Sequence, residues 1–371
     1  MIAGFPWFTD WGRDTFIAMR GLAIARGKFE LAGSILDAWA GTVSEGMLPN
    51  RFPDRGETPE FNAVDASLWF VIVVHEFLAA AVPQAALRER LLTAVDAILD
   101  GYTAGTRFGI AMDRGDGLIA CGVPGVQLTW MDAKTGNDVV TPRIGKPVEI
   151  QALWINALRC SGSRRAALAK QAQRSFGERF WNADAKGLYD VVDADHVSGC
   201  VDASVRPNQI FGVGGLPFAL LDGERAAAVV AGVEAGLLTP MGLRSLSPGD
   251  PAYRGQCTGS PAERDGAYHQ GTVWPWLTGA FVDAWLRVNG DTPARRKAIR
   301  QRCLVPLLAH RDAAAGLGHV SEIADGDAPH TPRGCPFQAW SLGELIRALQ
   351  RTAPVARARG KAAILAAPKS P

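Results

Sequence analysis

The sequence has little net charge and no long apolar run. Of its 371 residues, 39 are Lys or Arg and 37 are Asp or Glu, so the formal net charge is only +2. Such a balance does not predict a nucleic-acid partner. No apolar stretch reaches the roughly 18 residues that suggest a membrane-spanning helix, so we predict no membrane span. The first residues contain neither a basic region nor an apolar core, and we predict no signal peptide.

Cysteines are few, scattered and without a Cys-x-x-Cys pair. This spacing favours reduced thiols in a cytoplasmic protein over a disulfide framework or a zinc site. We therefore expect no metal and no other cofactor. The six cysteines are Cys121, Cys160, Cys200, Cys257, Cys303 and Cys335.

Strand signals are also scarce, since only residues 187–200 alternate in a way that indicates a short hairpin. Apolar residues recur instead at helical spacing and predict about eleven helices. Helices opened by a polar, aromatic or glycine-rich loop alternate with plainer ones. This alternation predicts an all-α protein whose helical hairpins form a ring, with the polar loops at one mouth. Eleven helices are one fewer than six hairpins need, so we expect the first helix to be missing.

The helical pattern extends over one domain, residues 1–351. Hydrophobic residues make up 47% of the sequence and charged residues 20%, which is usual for a soluble globular enzyme. Residues 352–371 are mainly Ala, Arg, Lys and Pro, and we predict that they form a disordered tail.

Tryptophan is abundant, with eleven residues in the chain. Seven of them lie in or beside polar, glycine-rich segments rather than in plain helical stripes. Aromatic faces next to carboxylates and amides suit a sugar site, because the faces stack on the ring and the polar groups bond its hydroxyls. The seven are Trp7, Trp11, Trp69, Trp130, Trp274, Trp276 and Trp340.

Residues 318–330 carry the strongest catalytic signal. They contain one glutamate, two aspartates and two histidines between glycine and proline residues, and an apolar helix follows over 337–349. Gly and Pro predict a loop, and loops held by rigid helices commonly present catalytic groups. We predict that Glu322 is a catalytic carboxylate.

A second carboxylate candidate lies in the glycine-rich stretch 104–146. A compact domain rarely contains so long an irregular stretch without a function. Asp132 follows Trp130 and Met131. It is either a turn aspartate that binds its own backbone, or an acid whose pKa is raised by apolar neighbours.

Arg13 and Asp14 precede the first predicted helix and are flanked by Trp7 and Trp11. They form either a structural ion pair at a helix start or a clamp on neighbouring sugar hydroxyls.

Three further polar residues have a structural and a functional interpretation. Asn62 is a good N-cap for the next apolar helix, and Asp65 lies in its first turn, where the helix dipole favours a negative charge. His269 is either a core histidine or, beside Gln270 and Trp274, part of a site.

Eight motifs together resemble the C-terminal glucosidase domain of glycogen debranching enzymes over nearly all of residues 4–350. All eight motifs occur in the same order as in that family, which makes the match specific. The motifs are Pro-Trp-Phe-Thr-x-Trp-Gly-Arg-Asp-Thr (6–15), Met-Leu-Pro-Asn-Arg-Phe-Pro-Asp (47–54), Asn-Ala-Val-Asp-Ala-Ser-Leu-Trp-Phe (62–70), Thr-Trp-Met-Asp-Ala-Lys (129–134), Gly-Lys-Pro-Val-Glu-Ile-Gln-Ala-Leu-Trp (145–154), Arg-Pro-Asn-Gln (206–209), Tyr-His-Gln-Gly-Thr-Val-Trp-Pro-Trp (268–276) and Ser-Glu-Ile-Ala-Asp-Gly (321–326).

The resemblance implies an (α/α)6 barrel and an inverting amylo-α-1,6-glucosidase that acts on glycogen or another branched α-glucan. It implies that Asp132 is the general acid and Glu322 the general base. In such enzymes the two carboxyl groups stand roughly 6.5–9.5 Å apart, which leaves room for a water. The resemblance also implies a substrate-binding set: Trp7, Trp11, Arg13, Asp14, Asn62, Asp65, Trp130, Lys134, Glu149, Gln209, His269, Gln270 and Trp274.

We expect the chain to depart from the family pattern in three respects. The β-rich N-terminal domain that family members usually carry is not found in it, nor is the first barrel helix, so we expect exposed apolar surface. The transferase domain of eukaryotic debranching enzymes is also not found, and no transferase step is implied.

Two other functions remain open from the sequence. One is another exo-acting α-glucan hydrolase, of glucoamylase or trehalase type. The other is a non-catalytic glucan-binding fragment, which would keep Trp7, Trp11, Arg13 and Asp14 but could lose either carboxylate. Both carboxylates are present, which favours an enzyme. The oligomeric state is not predicted.

Overall fold

Helices dominate the computed structural model, which describes residues 1–52, 58–314 and 316–354. The α-helices are α1 Gly12–Met19, α2 Phe29–Ala40, α3 Asp65–Ala80, α4 Ala85–Ala104, α5 Val148–Cys160, α6 Ala166–Arg179, α7 Gly223–Gly236, α8 Pro261–Ala267, α9 Thr278–Asn289, α10 Pro293–Ile299, α11 Val305–Ala313 and α12 Ala339–Arg351. π-Helical turns extend α1 (Arg20–Ile24) and join α10 to α11 (Arg300–Leu304), and 3₁₀ turns cover Arg107–Gly109, Ser163–Arg165, Ala194–His196, Pro207–Gly212 and Pro275–Leu277.

Six helical segments contact one another in a closed ring. The order around the ring is α1, α3, α5, Pro207–Gly212, α9 and α12, and α12 packs back against α1. The remaining long helices pack on these segments: α2 and α4 on α3, α6 on α5, α7 on Pro207–Gly212 and α10 on α9. In the described residues every ring segment except α12 is followed by such a second helical segment.

Residue burial explains which helices form the ring. All eight residues of α1 are buried, and α3 and α5 are buried over most of their surfaces. In contrast, α6 buries only Ala169, Ala172, Ser175 and Phe176. A helix that is apolar all round is stable only when surrounded, whereas a helix with one apolar stripe can face solvent. The apolar composition of α3 therefore suits the ring, whereas the single apolar stripe of α6 suits a covering position.

The π-helical extension of α1 crosses α12 closely, with Gly21 against Gly343. A Cβ atom on Gly21 would lie 1.7 Å from the Gly343 carbonyl oxygen. Backbone cannot yield as a flexible side chain can, so we expect Gly21→Ala to lower the free energy of unfolding by about 3 kcal/mol. Urea denaturation measures this change. Gly232→Ala in α7 is the control, because nothing lies within 4 Å of a Cβ there. The control is expected to gain about 0.5–1 kcal/mol, and equal stabilities of the two variants would contradict the close crossing.

Short strands of two or three residues pair between loops, in addition to the single hairpin that the sequence indicated. One antiparallel sheet has the order Leu238–Thr239, Gly242–Arg244, Val273–Trp274, Ile323–Ala324 and Pro332–Arg333. Four two-stranded pairings are Gly4–Phe5 with Phe337–Gln338, Asp10–Trp11 with Arg51–Phe52, Ala111–Met112 with Ile119–Ala120, and Lys134–Thr135 with Asp138–Val139. Strands of two or three residues are too short to show a period-2 pattern in the sequence.

The single hairpin predicted over 187–200 is instead shared between two sheets. Gly187–Leu188 pairs with Trp181–Asn182, whereas Val191–Val192 pairs with both Val201–Asp202 and Lys146–Pro147. The last pairing ties this segment to the residues immediately before α5.

Two local sequence signals were interpreted incorrectly. Asn62 does not cap α3, because the helix begins at Asp65 and Val64 occupies the N-cap without a side-chain hydrogen bond. Helix α8 was not predicted, although Ser260 and Glu263 form a capping box at its start. The sequence alone could have indicated this capping box, since Ser-x-x-Glu is its usual signature.

The end of the described chain differs from the predicted tail boundary. Thr352 is buried, and its hydroxyl donates to the Ala348 carbonyl at 2.8 Å. The rest of the predicted tail, from 355 onward, lies outside the described residues. Exposed apolar side chains were expected, and Phe5, Trp7 and Leu317 are more than half exposed. None of the helices in the described ranges has the length and apolarity that a membrane crossing requires.

Candidate active site

A cavity opens at the mouth of the ring, where the loops preceding the ring segments converge. It encloses about 690 Å³, including the part open to solvent. Its walls come from the segments before and at the starts of α1, α3, α9 and α12, from the long loop before α5, and from the loop containing Glu322. The lining residues are Phe8, Trp11, Arg13, Asp14, Glu60, Asn62, Gln127, Trp130, Asp132, Tyr268, Trp274, Glu322, Gln338 and Trp340.

Asp132 is one of two carboxylates that the sequence predicted as catalytic and that line this cavity. Its Oδ2 accepts a hydrogen bond from Arg13 Nη1 at 2.9 Å, and Arg13 Nε donates to Asp65 Oδ2 at 2.6 Å. Burial raises the pKa of Asp132, and the Arg13 guanidinium opposes that rise. Because 28% of the side chain remains exposed, the carboxyl group is accessible from the cavity.

Glu322 is the second of these carboxylates, and both of its oxygens have donors. The Tyr268 hydroxyl donates to Oε1, and the Cys335 amide donates to Oε2 at 2.8 Å. Burial raises the pKa of Glu322 to about 7, with a further upward contribution from the negative charge of Asp132, while the two hydrogen bonds act in the opposite direction. The sequence led us to expect a raised pKa for Asp132 alone, but burial raises the pKa of both carboxyl groups.

Arg13 and Asp14 do not form the ion pair that was one of their two interpretations. Arg13 bonds Asp65 and Asp132, whereas Asp14 Oδ1 accepts from Gln338 Nε2 at 3.1 Å. Burial raises the pKa of Asp14 to about 8 despite the nearby guanidinium. Both residues line the cavity, so their polar groups lie within reach of a bound ligand.

Indole rings form one wall of the cavity. Trp130 meets Trp274 edge-on with ring centroids 5.2 Å apart, and its Nε1 donates to Asn208 Oδ1 at 2.7 Å. Trp274 meets Trp340 edge-on at 5.8 Å. These packed rings offer rigid apolar surface beside the carboxylates, which is the combination that sugar binding requires.

Two predicted binding residues lie behind the cavity wall rather than in it. Asp65 is buried and holds Arg13. His269 is fully buried, stacks on Trp274 at 5.0 Å, and its Nδ1 accepts from the Ala133 amide at 3.4 Å. Burial lowers the pKa of His269 well below its usual value. The interpretation of His269 as a core histidine therefore fits its position.

Three other predicted binding residues are in buried polar networks away from the cavity lining. Glu149 accepts from both terminal nitrogens of Arg143. Gln209 accepts from the Leu188 amide at 3.2 Å and donates to the Arg206 carbonyl at 3.1 Å. Gln270 accepts from Arg206 Nη2 at 2.8 Å. Their motifs lie close to the site in sequence, but these side chains support the surrounding loops.

Trp7 and Lys134 complete the predicted residues that do not line the cavity. Trp7 is 63% exposed, and Lys134 Nζ donates to the Gly125 carbonyl at 3.2 Å. The sequence analysis in turn missed several lining residues, although Tyr268 lies beside His269 in a quoted motif and Trp340 is among the seven tryptophans. The lining residues without a predicted role are Phe8, Glu60, Gln127, Tyr268, Gln338 and Trp340.

One group of carboxylates in the described ranges converges closely enough to hold a metal ion: Asp113, Asp116 and Asp193. Lys146 Nζ lies 2.7, 2.7 and 3.0 Å from these three side chains. Arg179 bonds Asp193 at 2.7 Å and also pairs with Asp116. The protein's own cations therefore compensate the charge of this group, which lies outside the cavity.

A family model described as amylo-alpha-1,6-glucosidase matches residues 1–347. The chain belongs to the amylo-α-1,6-glucosidase family. It is 24% identical to the glycogen debranching enzyme of Saccharomyces cerevisiae, in an alignment that covers 93% of this chain and 30% of that protein. The chain thus spans about a third of the length of this curated relative.

Solved structures with the same fold include other glycosidases. An uncharacterized conserved protein from Thermus thermophilus superposes with a TM-score of 0.65 at 15% identity, over 94% of each chain. The GH63 mannosylglycerate hydrolase of the same organism gives a TM-score of 0.63 at 14% identity, over 94% of this chain and 95% of that one. Identities this low establish the fold alone, a helical barrel found in glycosidases. Family and fold together support a glycoside hydrolase.

Proposed function

We propose that this protein is an inverting amylo-α-1,6-glucosidase, which removes α-1,6-linked glucose from branch points of glycogen or a limit dextrin. We further propose that the closed ring of helices is an (α/α)6 barrel with the active site at its mouth. The observation that carries the function is the convergence of Asp132 and Glu322 in one cavity walled by indoles. The family match supports the choice of substrate. The unpaired state of all six cysteines suits a cytoplasmic enzyme.

Asp132 acts as the general acid in this proposal. Its raised pKa favours the protonated form that can give a proton to the glycosidic oxygen as the bond to the main chain breaks. The carboxylate that remains is then stabilised by the Arg13 guanidinium at 2.9 Å. Asp65 holds that guanidinium in place from the buried side.

Glu322 acts as the general base on the other side of the sugar. Once ionised, it takes a proton from a water molecule that attacks the anomeric carbon from the face opposite the leaving oxygen. A single displacement of this kind converts an α linkage into β-glucose. Asp14 and Gln338, linked by a 3.1 Å hydrogen bond, lie in the cavity lining beside these groups and can bond sugar hydroxyls.

The product anomer provides the direct test of this proposal. A maltooligosaccharide with a single α-1,6-glucosyl stub is incubated with the protein, and ¹H NMR follows the first glucose released. We expect β-glucose to appear first and then to mutarotate. Linear maltooligosaccharide and trehalose serve as controls, and both should be cleaved more slowly. Initial α-glucose would rule out the inverting mechanism, and a folded sample that releases no glucose would contradict the proposed activity.

The pH dependence follows from the two pKa shifts. The base must be ionised, and the pKa of Glu322 is about 7, so kcat/KM should fall tenfold for each pH unit well below 7. The acid must be protonated, and burial raises the pKa of Asp132, so kcat/KM should also fall as pH rises through that raised pKa. Initial rates at low substrate concentration across pH 4–10 measure both limbs. Full activity at pH 5 would contradict the assignment of Glu322 as the base.

A further inference from the structure

The hydroxyl of Tyr268 meets Glu322 from the segment ahead of α9. The ring of Tyr268 packs edge-on against Trp274 and His269, with centroids 5.0 and 4.9 Å apart. Its backbone carbonyl accepts from Trp274 Nε1 at 3.1 Å and also from the Thr272 hydroxyl. Ring and backbone are therefore both held, and rotation of the ring about its own axis leaves the hydroxyl oxygen in place.

The loop that follows Glu322 encloses the same carboxylate from the other side. Gly334 has a φ of +63°, and a Cβ atom there would lie 2.5 Å from Glu322 Oε2. The next residue, Cys335, donates its amide to that oxygen at 2.8 Å. The strand Ile323–Ala324 also pairs with Val273–Trp274, which ties the Glu322 loop to the segment of Tyr268.

We propose that Tyr268 is a positioning residue for the base: its hydroxyl, opposite the Cys335 amide, holds the Glu322 carboxylate ionised and in one orientation. The inference rests on the proposed role of Glu322. Each carboxylate oxygen accepts one hydrogen bond from a fixed donor, so one arrangement of the group satisfies both. An acceptor-only carboxylate suits two donors, whereas protonation would place a hydrogen against one of them.

The Tyr268 hydroxyl affects the ionisation of Glu322 because the surroundings of this carboxylate disfavour its charged form. Asp132 and Asp14 face the same cavity, the Cys335 thiol lies alongside, and burial disfavours a charged carboxylate. Burial and the negative charge of Asp132 raise the pKa of Glu322, whereas the Tyr268 hydroxyl and the Cys335 amide lower it. Without that hydroxyl, burial and the charge of Asp132 still raise the pKa of Glu322, so its pKa should increase further.

Tyr268→Phe tests the role, because it removes the hydroxyl and keeps the ring. Loss of a hydrogen bond to a charged group should move the acid limb of kcat/KM upward by about 1–2 pH units. We expect kcat at pH 7 to fall while KM changes little. A purely structural role would lower the melting temperature without moving the limb. An acid limb at the wild-type pH in folded Tyr268→Phe would overturn the proposal.

A readout that needs no turnover separates this inference from the proposed function. ¹³C NMR of glutamate-labelled protein follows each carboxyl titration, and Glu322→Gln identifies the signal of Glu322. We expect its midpoint to rise in Tyr268→Phe. A risen midpoint in a protein that releases no glucose would support the contact and refute the proposed activity. An unchanged midpoint alongside normal β-glucose release would refute only the inference.

Gly334→Ala approaches the same carboxylate from the opposite side and leaves Tyr268 intact, so it decides the matter if Tyr268→Phe does not fold. The added methyl group displaces Glu322 from its two donors, and we expect kcat to fall by about 10²-fold with little change in KM. Gly318→Ala is the matched control, since Gly318 also has a positive φ, of +81°, but has nothing within 4 Å of a Cβ. Equal kcat values for the two alanine variants would overturn the proposal.

Discussion

Asp132→Asn and Glu322→Gln are each expected to lower kcat for release of α-1,6-linked glucose by about 10²–10⁴-fold. Both substitutions keep the shape of the side chain. Asn cannot give a proton to the leaving oxygen, and Gln cannot take one from water. Steady-state rates on the singly branched maltooligosaccharide measure the loss.

The two variants should differ on a substrate whose leaving group needs no proton. α-Glucosyl fluoride releases fluoride without an acid, so Asp132→Asn should recover much of its rate on it, while Glu322→Gln should stay inactive. Exposed residues supply matched controls: Asp138→Asn and Glu30→Gln should keep the wild-type rate. Wild-type rates in both active-site variants would show that the assignment of the two carboxylates is wrong.

Arg143→Met is expected to lower the free energy of unfolding by about 3–5 kcal/mol. The Arg143 guanidinium is buried between two buried carboxylates. It bonds both oxygens of Glu149, and its Nε donates to Asp190 Oδ2 at 2.8 Å. Met fills much of the same space but leaves Glu149 without its cation, while Asp190 keeps Arg206 Nε at 3.8 Å. Urea denaturation at pH 7 measures the change.

The loss in Arg143→Met should depend on pH with a definite sign. Burial already raises the pKa of Glu149, and Arg143 opposes that rise. Without Arg143 the group binds its proton more tightly in the folded state, so stability declines as pH rises through the folded pKa. The variant should therefore be closer to wild type at pH 4.5 than at pH 8. The opposite trend would show that repacking, rather than an unpaired carboxylate, causes the loss.

Arg90→Met is the matched control for Arg143→Met. Arg90 also bonds a carboxylate through two nitrogens, to Asp37 at 2.7 and 2.8 Å, but its side chain is 55% exposed. Solvent screens such a pair, so its removal should have little effect on stability. Similar losses in the two variants would contradict the importance of burial.

The structure brings part of the predicted site residues together. Asp132 and Glu322 line one cavity, together with Trp11, Arg13 and Asp14. These residues lie in loops, or at helix starts, that face the mouth of the ring. Glu149, Gln209 and Gln270, which belong to neighbouring motifs, do not line the cavity. A polar side chain in such a motif can turn toward a ligand or toward a buried partner, and residue type alone does not distinguish the two.

The sequence by itself determined that helices dominate the fold, and the alternation of their opening loops predicted a ring of helical hairpins. The motif loops by themselves predicted that carboxylates and indoles would lie together at one mouth. Only the tertiary structure decided that Arg13 pairs with Asp65 and Asp132 instead of Asp14, and that Tyr268 reaches Glu322. These contacts cross the ring or depend on strands of two residues, and they form only when the ring closes.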